Sequence, residues 1–130
     1  MIACRSAAEI AAAVAGGEST ALAETEAVLA QVAAREDSVH AWRFLDPDLA
    51  RAKARAVDAV PLKGPLAGAG VGLKDIIDTA DLPTENGADT DKGRQPTQDA
   101  TAVTRLTAAG AVIIGKTVTT ECAFLTPGET

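Results

Sequence analysis

Gly70-Val71-Gly72-Leu73-Lys74-Asp75-Ile76-Ile77-Asp78 is a short apolar run, opened by glycine, with a lysine set in its middle. A Val/Leu/Ile run of this kind reads as a buried strand. Lysine is rarely fully buried unless it is paired. Burial disfavours its charged form, and a neutral amine is a base that can take a proton from a hydroxyl. The plain alternative is a lysine at a strand end with its ammonium in water, and this stretch taken alone favours that alternative. A second run, Ala111-Val112-Ile113-Ile114, follows a helical pattern that starts near Asp99, turns Val103 and Leu106 inward and stops at Gly110. Strand, long loop, helix, strand is a crossover unit. The two strands are therefore expected to be parallel in one sheet of an α/β fold, with cover on both faces.

Working outward, Ser6-Ala7-Ala8-Glu9 has the capping-box form, and the helix after it should stop at Gly16-Gly17. Ser19 is expected to cap a second helix reaching about Arg35, with Leu22, Leu29 and Val32 on one face and Val28 beside them. The pair reads as a helical hairpin on the outside of something larger. Ala41 to Leu45 is either a short strand or the end of a loop. Asp46-Pro47 opens a third helix, whose apolar face is expected at Leu49, Ala52, Ala56 and Val60, with Arg51, Lys53, Arg55 and Asp58 on the wet side. Lys63-Gly64-Pro65-Leu66-Ala67-Gly68 is a turn-rich approach to the Lys74 strand. From Thr79 to Gln98 runs a loop long enough to be functional or disordered, and Asp99 is expected to cap the fourth helix.

The chain of 130 residues is 47% hydrophobic but only 2% aromatic, so alanine-rich helices should pack closely with few large anchors. A net charge of −6 argues against nucleic acid and against anionic membrane surfaces. No apolar run approaches the ~20 residues of a spanning helix. The alanines after Arg5 are broken too early by Glu9 for a signal peptide. Cys4 and Cys122 lie far apart and fit no metal spacing; with no metal or cofactor implied, a reducing cytoplasm is the simplest setting. Gly110 to Thr117 spells G-A-V-I-I-G-K-T, the letters of a phosphate loop. Its four central residues are themselves the strand, and sheet pairing occupies the N–H groups that would cradle phosphate. Of the three serines, Ser6 and Ser19 read as caps, and Ser38 with His40 lacks an oriented third group. His40 reads as a surface loop residue, and Cys122 as a small buried hydrophobe sooner than a reactive thiol.

Three ordered stretches resemble the amidase signature family: G-P-L-A-G-A-G-V-G-L-K-D (Gly64 to Asp75), A-A-G-A-V-I-I-G-K-T (Ala108 to Thr117) and T-T-E-C-A-F (Thr119 to Phe124). Leu82-Pro83-Thr84, Gly87 and Asp99-Ala100 fit the same order. The resemblance implies an α/β fold in which N-terminal helices precede a mixed, mostly parallel sheet. Residues 1–130 would form the N-terminal part of a single domain, with a helical region over 1–60 and the start of the core, including the catalytic-lysine strand, over 61–130. It also implies hydrolysis of an amide C–N bond by a Ser–Ser–Lys triad without metal or cofactor, on a small-molecule amide substrate, with Lys74 as the base and a homodimer left open. Both family serines lie downstream of the T-E-x-A stretch, so this chain alone is expected to be inactive. Asn86 and Ala88 depart from the small or hydroxyl residues of many relatives. Two other readings stand beside this one: a non-catalytic truncated member acting as an interaction module, and part of the A subunit of a tRNA-dependent amidotransferase. The loop-like ending from Leu125 to Thr130 and unpaired sheet edges lead us to expect a piece of a larger, incomplete domain, marginally stable or self-associated alone. The phosphate-loop letters generate their own test: equilibrium dialysis against ATP or GTP with magnesium should show no retention of nucleotide.

Overall fold

The Ala111 run leads into the central strand of the molecule. The computed structural model describes residues 5–125; Cys4 and the ending over 126–130 lie outside the described residues. Strand β3 (Val112–Thr117) pairs on both edges, antiparallel with β1 (Trp42–Leu45) and parallel with β2 (Gly70–Lys74), in the order β1-β3-β2. Helix α4 (Thr101–Ala108) makes the crossover between the parallel pair, as the alternation of patterns requires. The segment at 41–45 thus resolves as a strand, and β3 continues past Ile114 through Gly115, Lys116 and Thr117. On one face α2 (Ala21–Val39) and α3 (Pro47–Ala59) close over Ala21, Leu29, Ala54, Val112 and Ile114. On the other, α4 brings Val103 against Leu73 and Ile113. Both faces are covered, as wholly apolar strands demand.

The glycines and alanines ahead of β2 form a seam rather than a simple turn. Leu66 N–H donates to Ala109 O at 2.8 Å, Gly68 N–H to Gly110 O at 3.0 Å, and Val112 N–H to Ala69 O at 2.9 Å. The parallel pairing is thereby prolonged backwards past Gly70. A Cβ at Gly64 would collide with the carbonyl of Ala109, and one at Gly115 with the carbonyl of Phe44. The ring of Trp42 lies across this gap, 3.0 Å from where a Cβ on Gly72 would sit and 3.1 Å from one on Gly115. Small residues are what let the backbones meet and the single tryptophan cover them.

The N-terminal helices follow their caps with some corrections. Helix α1 (Ala7–Ala15) has the expected capping box, Ser6 N–H donating to Glu9 at 2.7 Å and Glu9 N–H to the Ser6 hydroxyl at 3.3 Å. Helix α2 is capped by Thr20, not Ser19, whose hydroxyl instead donates to Glu24 at 2.6 Å. It continues past Arg35 to Val39, and His40 ends it in the left-handed region at φ 52°. Asp46 and Pro47 open α3 as expected, but its buried residues are Ala50 and Ala54, with Val57 packed beside them, while Ala52, Ala56 and Val60 are exposed. Alanines recur so densely here that several faces look equally apolar, and tertiary contact chose among them. Nor does Asp58 belong to the wet side. Its carboxylate accepts from Ala21 N–H at 2.7 Å and Leu22 N–H at 3.0 Å, completing the N-terminus of α2 from a different helix. The cap position of α4 is Ala100, and Asp99 instead accepts from Ala80 N–H at 2.7 Å, tying down the long loop.

Two variants test this packing by urea unfolding. Gly115→Ala forces a methyl into the Phe44 carbonyl and should destabilise the chain by about 1–3 kcal/mol or more. Asp58→Ala removes the borrowed cap and should cost roughly 0.5–2 kcal/mol, whereas exposed Arg55→Ala should stay within about 0.5 kcal/mol of wild type.

Candidate active site

Parallel strands present their C-terminal ends side by side, and in α/β sheets ligands gather there. Here the two ends are Lys74 of β2 and Thr117 of β3, which are register partners. Trp42 of β1 also pairs with Thr117, so Trp42, Thr117 and Lys74 form one row across the sheet. Alternation along β2 puts Gly70, Gly72 and Lys74 on the Trp42 side and Val71 and Leu73 on the α4 side. Lys74 is exposed, and among the described residues its amine has no hydrogen-bond or ion-pair partner.

The next residue is held on every side. Asp75 N–H donates to Thr117 O at 2.9 Å, and Asp75 O accepts from Asn86 N–H at 2.9 Å. Its carboxylate accepts from Glu85 N–H at 3.2 Å and faces the ammonium of Lys116 at 3.3 Å. Both side chains are sealed from water, at 0% exposure for Lys116 and 1% for Asp75. Lys116 also donates to Pro83 O at 3.0 Å and to the Thr84 hydroxyl at 2.5 Å. Burial pulls the proton affinity of Lys116 down, and the Asp75 charge opposes that pull. All three donors of this ammonium are committed, so it has none left for a ligand.

The long loop is ordered by charge. Arg94 clasps Asp78 at 2.7 and 3.0 Å and donates to Thr84 O at 3.2 Å, while Thr84 N–H donates to Arg94 O at 3.0 Å. Arg43 reaches Glu85 at 2.6 Å, and Gly93 N–H donates to the other oxygen of that carboxylate at 2.7 Å. The Gly93 N–H, and after it the Arg43 guanidinium, hold the Glu85 carboxyl below the usual carboxylate range against the opposing effect of burial. At the loop's tip Asn86 and Gly87 take positive φ, 56° and 62°. A Cβ on Gly87 would stand 2.7 Å from Thr119 O, and Asn86 O accepts from Cys122 N–H at 2.7 Å. The loop after β2 and the segment after β3 therefore meet beside the end of the Lys74 strand.

The same order of elements recurs in known proteins. A family profile described as Amidase matches residues 23–130. The chain belongs to the amidase family. Among its relatives in that family, the A subunit of glutamyl-tRNA(Gln) amidotransferase from Streptomyces coelicolor is 48% identical over 115 residues, covering 85% of this chain and 23% of that protein. The peptide amidase of Stenotrophomonas maltophilia superposes with a TM-score of 0.83 at 35% identity, over 92% of this chain and 26% of that one. A structure described as a vestigial protein complex revealing the origins of an s-triazine catabolic enzyme gives 0.85 at 30% identity, over 90% and 27%. The chain thus spans about a quarter of the length of these relatives. The amidase signature resemblance and the α/β fold with a mixed sheet, both expected from the motifs, hold.

Within this amidase segment the structure separates the two lysines that the motifs contain. The buried, paired lysine is Lys116, which stands in both the amidase-like stretch Ala108 to Thr117 and the phosphate-loop letters; with Val112, Ile113 and Ile114 it lies within β3, so those letters do not form a phosphate loop. The signal was available: a lysine ending an apolar strand covered on both faces needs a counter-charge, and the K-D pair of the neighbouring strand supplies it. The serines are occupied elsewhere, Ser6 and Ser19 with Glu9 and Glu24, and Ser38 donating to Arg35 O at 2.9 Å. Cys122 is exposed, not buried, at φ 48°, because its segment turns outward after Thr120. Among the described residues no group of His, Cys, Asp and Glu is placed to hold a metal ion, and no helix is long and apolar enough to cross a membrane.

The Glu85 geometry carries a pH signature. Its unfolded carboxyl titrates near 4.5 and its folded one lower, so the unfolded state binds more protons between the two values. The stabilisation is complete above about pH 4.5 and is lost as pH falls through the folded value. Urea unfolding over a pH series should therefore show a shallower acid decline for Glu85→Gln than for wild type.

Proposed function

We propose that this chain carries the proton-transferring lysine of an amidase that cleaves a carbon–nitrogen bond by a Ser–Ser–Lys relay, with Lys74 as the base. The observation that supports it most is the contrast between the two lysines in the matched motifs: Lys116 is sealed with all its donors used, and Lys74 stands free at the end of a parallel strand. A base must reach the proton that it takes. In this reading the bridging and nucleophilic serines come from sequence outside these 130 residues. Only a neutral amine can take a proton and burial favours that form, so in this reading the same added sequence also desolvates Lys74. Residues 1–130 are then the N-terminal part of a single amidase domain acting on a small-molecule amide in the cytoplasm, with no metal or cofactor of its own.

The 48% identity to the A subunit of a glutamyl-tRNA(Gln) amidotransferase favours a second reading within the same chemistry, in which the chain belongs to an enzyme of that kind. Amide cleavage that requires companion subunits and glutamyl-tRNA would support it; turnover of simple amides without them would support the free-standing amidase.

The purified 130-residue chain should hydrolyse no amide. In a polypeptide that joins these residues to a segment bearing the two serines, Lys74→Ala should lower kcat/KM by about 10²–10⁴-fold without changing the unfolding midpoint. Turnover by the 130-residue chain alone, indifferent to Lys74→Ala, would refute the assignment.

A further inference from the structure

Lys116 lies on the strand beside Lys74, is out of reach of any substrate, and still spends its whole hydrogen-bonding capacity within a few residues of the candidate base. Its three acceptors come from two places: the Asp75 carboxylate, next in sequence to Lys74, and the Pro83–Thr84 stretch of the loop. That loop returns the contact, because Glu85 N–H and Asn86 N–H both donate to Asp75. Residue 75 is thus bound through its N–H, its C=O and its carboxylate at once. Lys74 is anchored just ahead of it, its C=O accepting from Ile77 N–H at 2.9 Å. A side chain at a strand end would otherwise fray with its backbone, since the ladder to Thr117 ends there.

We propose that Lys116 is a positioning residue for this site: its buried ammonium clamps Asp75 to the Pro83–Thr84 turn and so fixes the direction in which Lys74 leaves β2. The proposal rests on the reading of Lys74 as the base and gives that base its aim. Placing the reacting group in line is a large share of what an enzyme contributes, and a misplacement of about 1 Å can cost about 10²-fold in rate. A rigid support beneath the base is therefore a functional requirement as well as a structural one. The clamp also joins the two strand ends to the loop tip at Asn86 and Gly87, which touches Thr119 and Cys122. One buried charge thereby ties the ends of β2 and β3 to the loop that returns to them.

The test reads the order of the site instead of turnover, in the 130-residue chain itself. Backbone 15N relaxation and amide hydrogen exchange are measured in wild type, in Thr84→Val, and in Lys116→Met combined with Asp75→Asn. The double variant removes both buried charges together and leaves an acceptor for Glu85 N–H; Thr84→Val removes one acceptor at constant shape. In wild type the amides of Lys74, Asp75, Glu85 and Asn86 should have order parameters of ~0.85. In the double variant they should fall below ~0.6, with exchange at least about tenfold faster, while amides in α2, α3 and α4 hold their wild-type values. Thr84→Val should move the same four amides in the same direction by a smaller amount. The proposal is overturned if those amides stay as ordered as in wild type in a folded variant, or if every amide loosens equally. Should the double variant not fold, Thr84→Val decides by the same criterion. Loss of the base assignment would appear separately, as a Lys74→Ala variant with undiminished turnover, and would leave these amide measurements unchanged.

Discussion

A strand that is paired on both edges and covered on both faces has no contact with water left to satisfy anything polar on it. β3 is such a strand, buried from Val112 through Lys116. The rest of the structure answers to that constraint. Its backbone needs partners on two sides, which β1 and β2 provide. Its apolar side chains need cover on two faces, which α2 with α3 and α4 provide. Its one charge needs a counter-charge and two further acceptors, which the residue after β2 and the loop beyond supply. Unpaired, an ammonium at that depth would cost several kcal/mol, a sizeable part of what holds a domain together.

The same constraint explains why the long loop is built as it is. A loop that must deliver a carbonyl and a hydroxyl to a buried ammonium cannot wander. It is braced by Arg94 to Asp78, by Arg43 to Glu85 and by the Gly93 N–H to the same carboxylate. It is closed at its tip by a glycine pressed against Thr119. The exposed ion pairs among these add little individually. Their value lies in register, because together they hold residues 83–87 at the end of the parallel pair. There the two lysines part company by the simplest rule of strand geometry. Lys74 lies on the face with Gly70 and Gly72, and Lys116 is level with Leu73 on the other. Among the described residues one amine has no partner and the other is sealed in an ion pair, although both stand in short glycine-flanked motifs that look much alike as letters.

Alternation of apolar runs with a helical pattern was enough to determine that the chain is α/β, that β2 and β3 are parallel through α4, and that the middle of G-A-V-I-I-G-K-T belongs to a strand. Those conclusions rest on backbone pairing and chain connectivity, which are local or follow from handedness. Ser6 with Glu9 and Asp46 with Pro47 were legible for the same reason, since a cap bonds within a few residues of itself. Tertiary structure alone decided the rest. Asp58 caps a helix 36 residues away from it in sequence, which no local pattern encodes. The inward face of α3 was chosen among nearly equivalent rows of alanine by what lay opposite. Asp99 ties a loop and Ala100 holds the cap position without a side-chain cap, because the Asp99 carboxylate accepts from Ala80 N–H, 19 residues back in the chain. Lys116 became the buried lysine and Lys74 the exposed one because burial is a property of the assembled sheet, with its two covered faces and its returning loop, and a single stretch read alone contains neither.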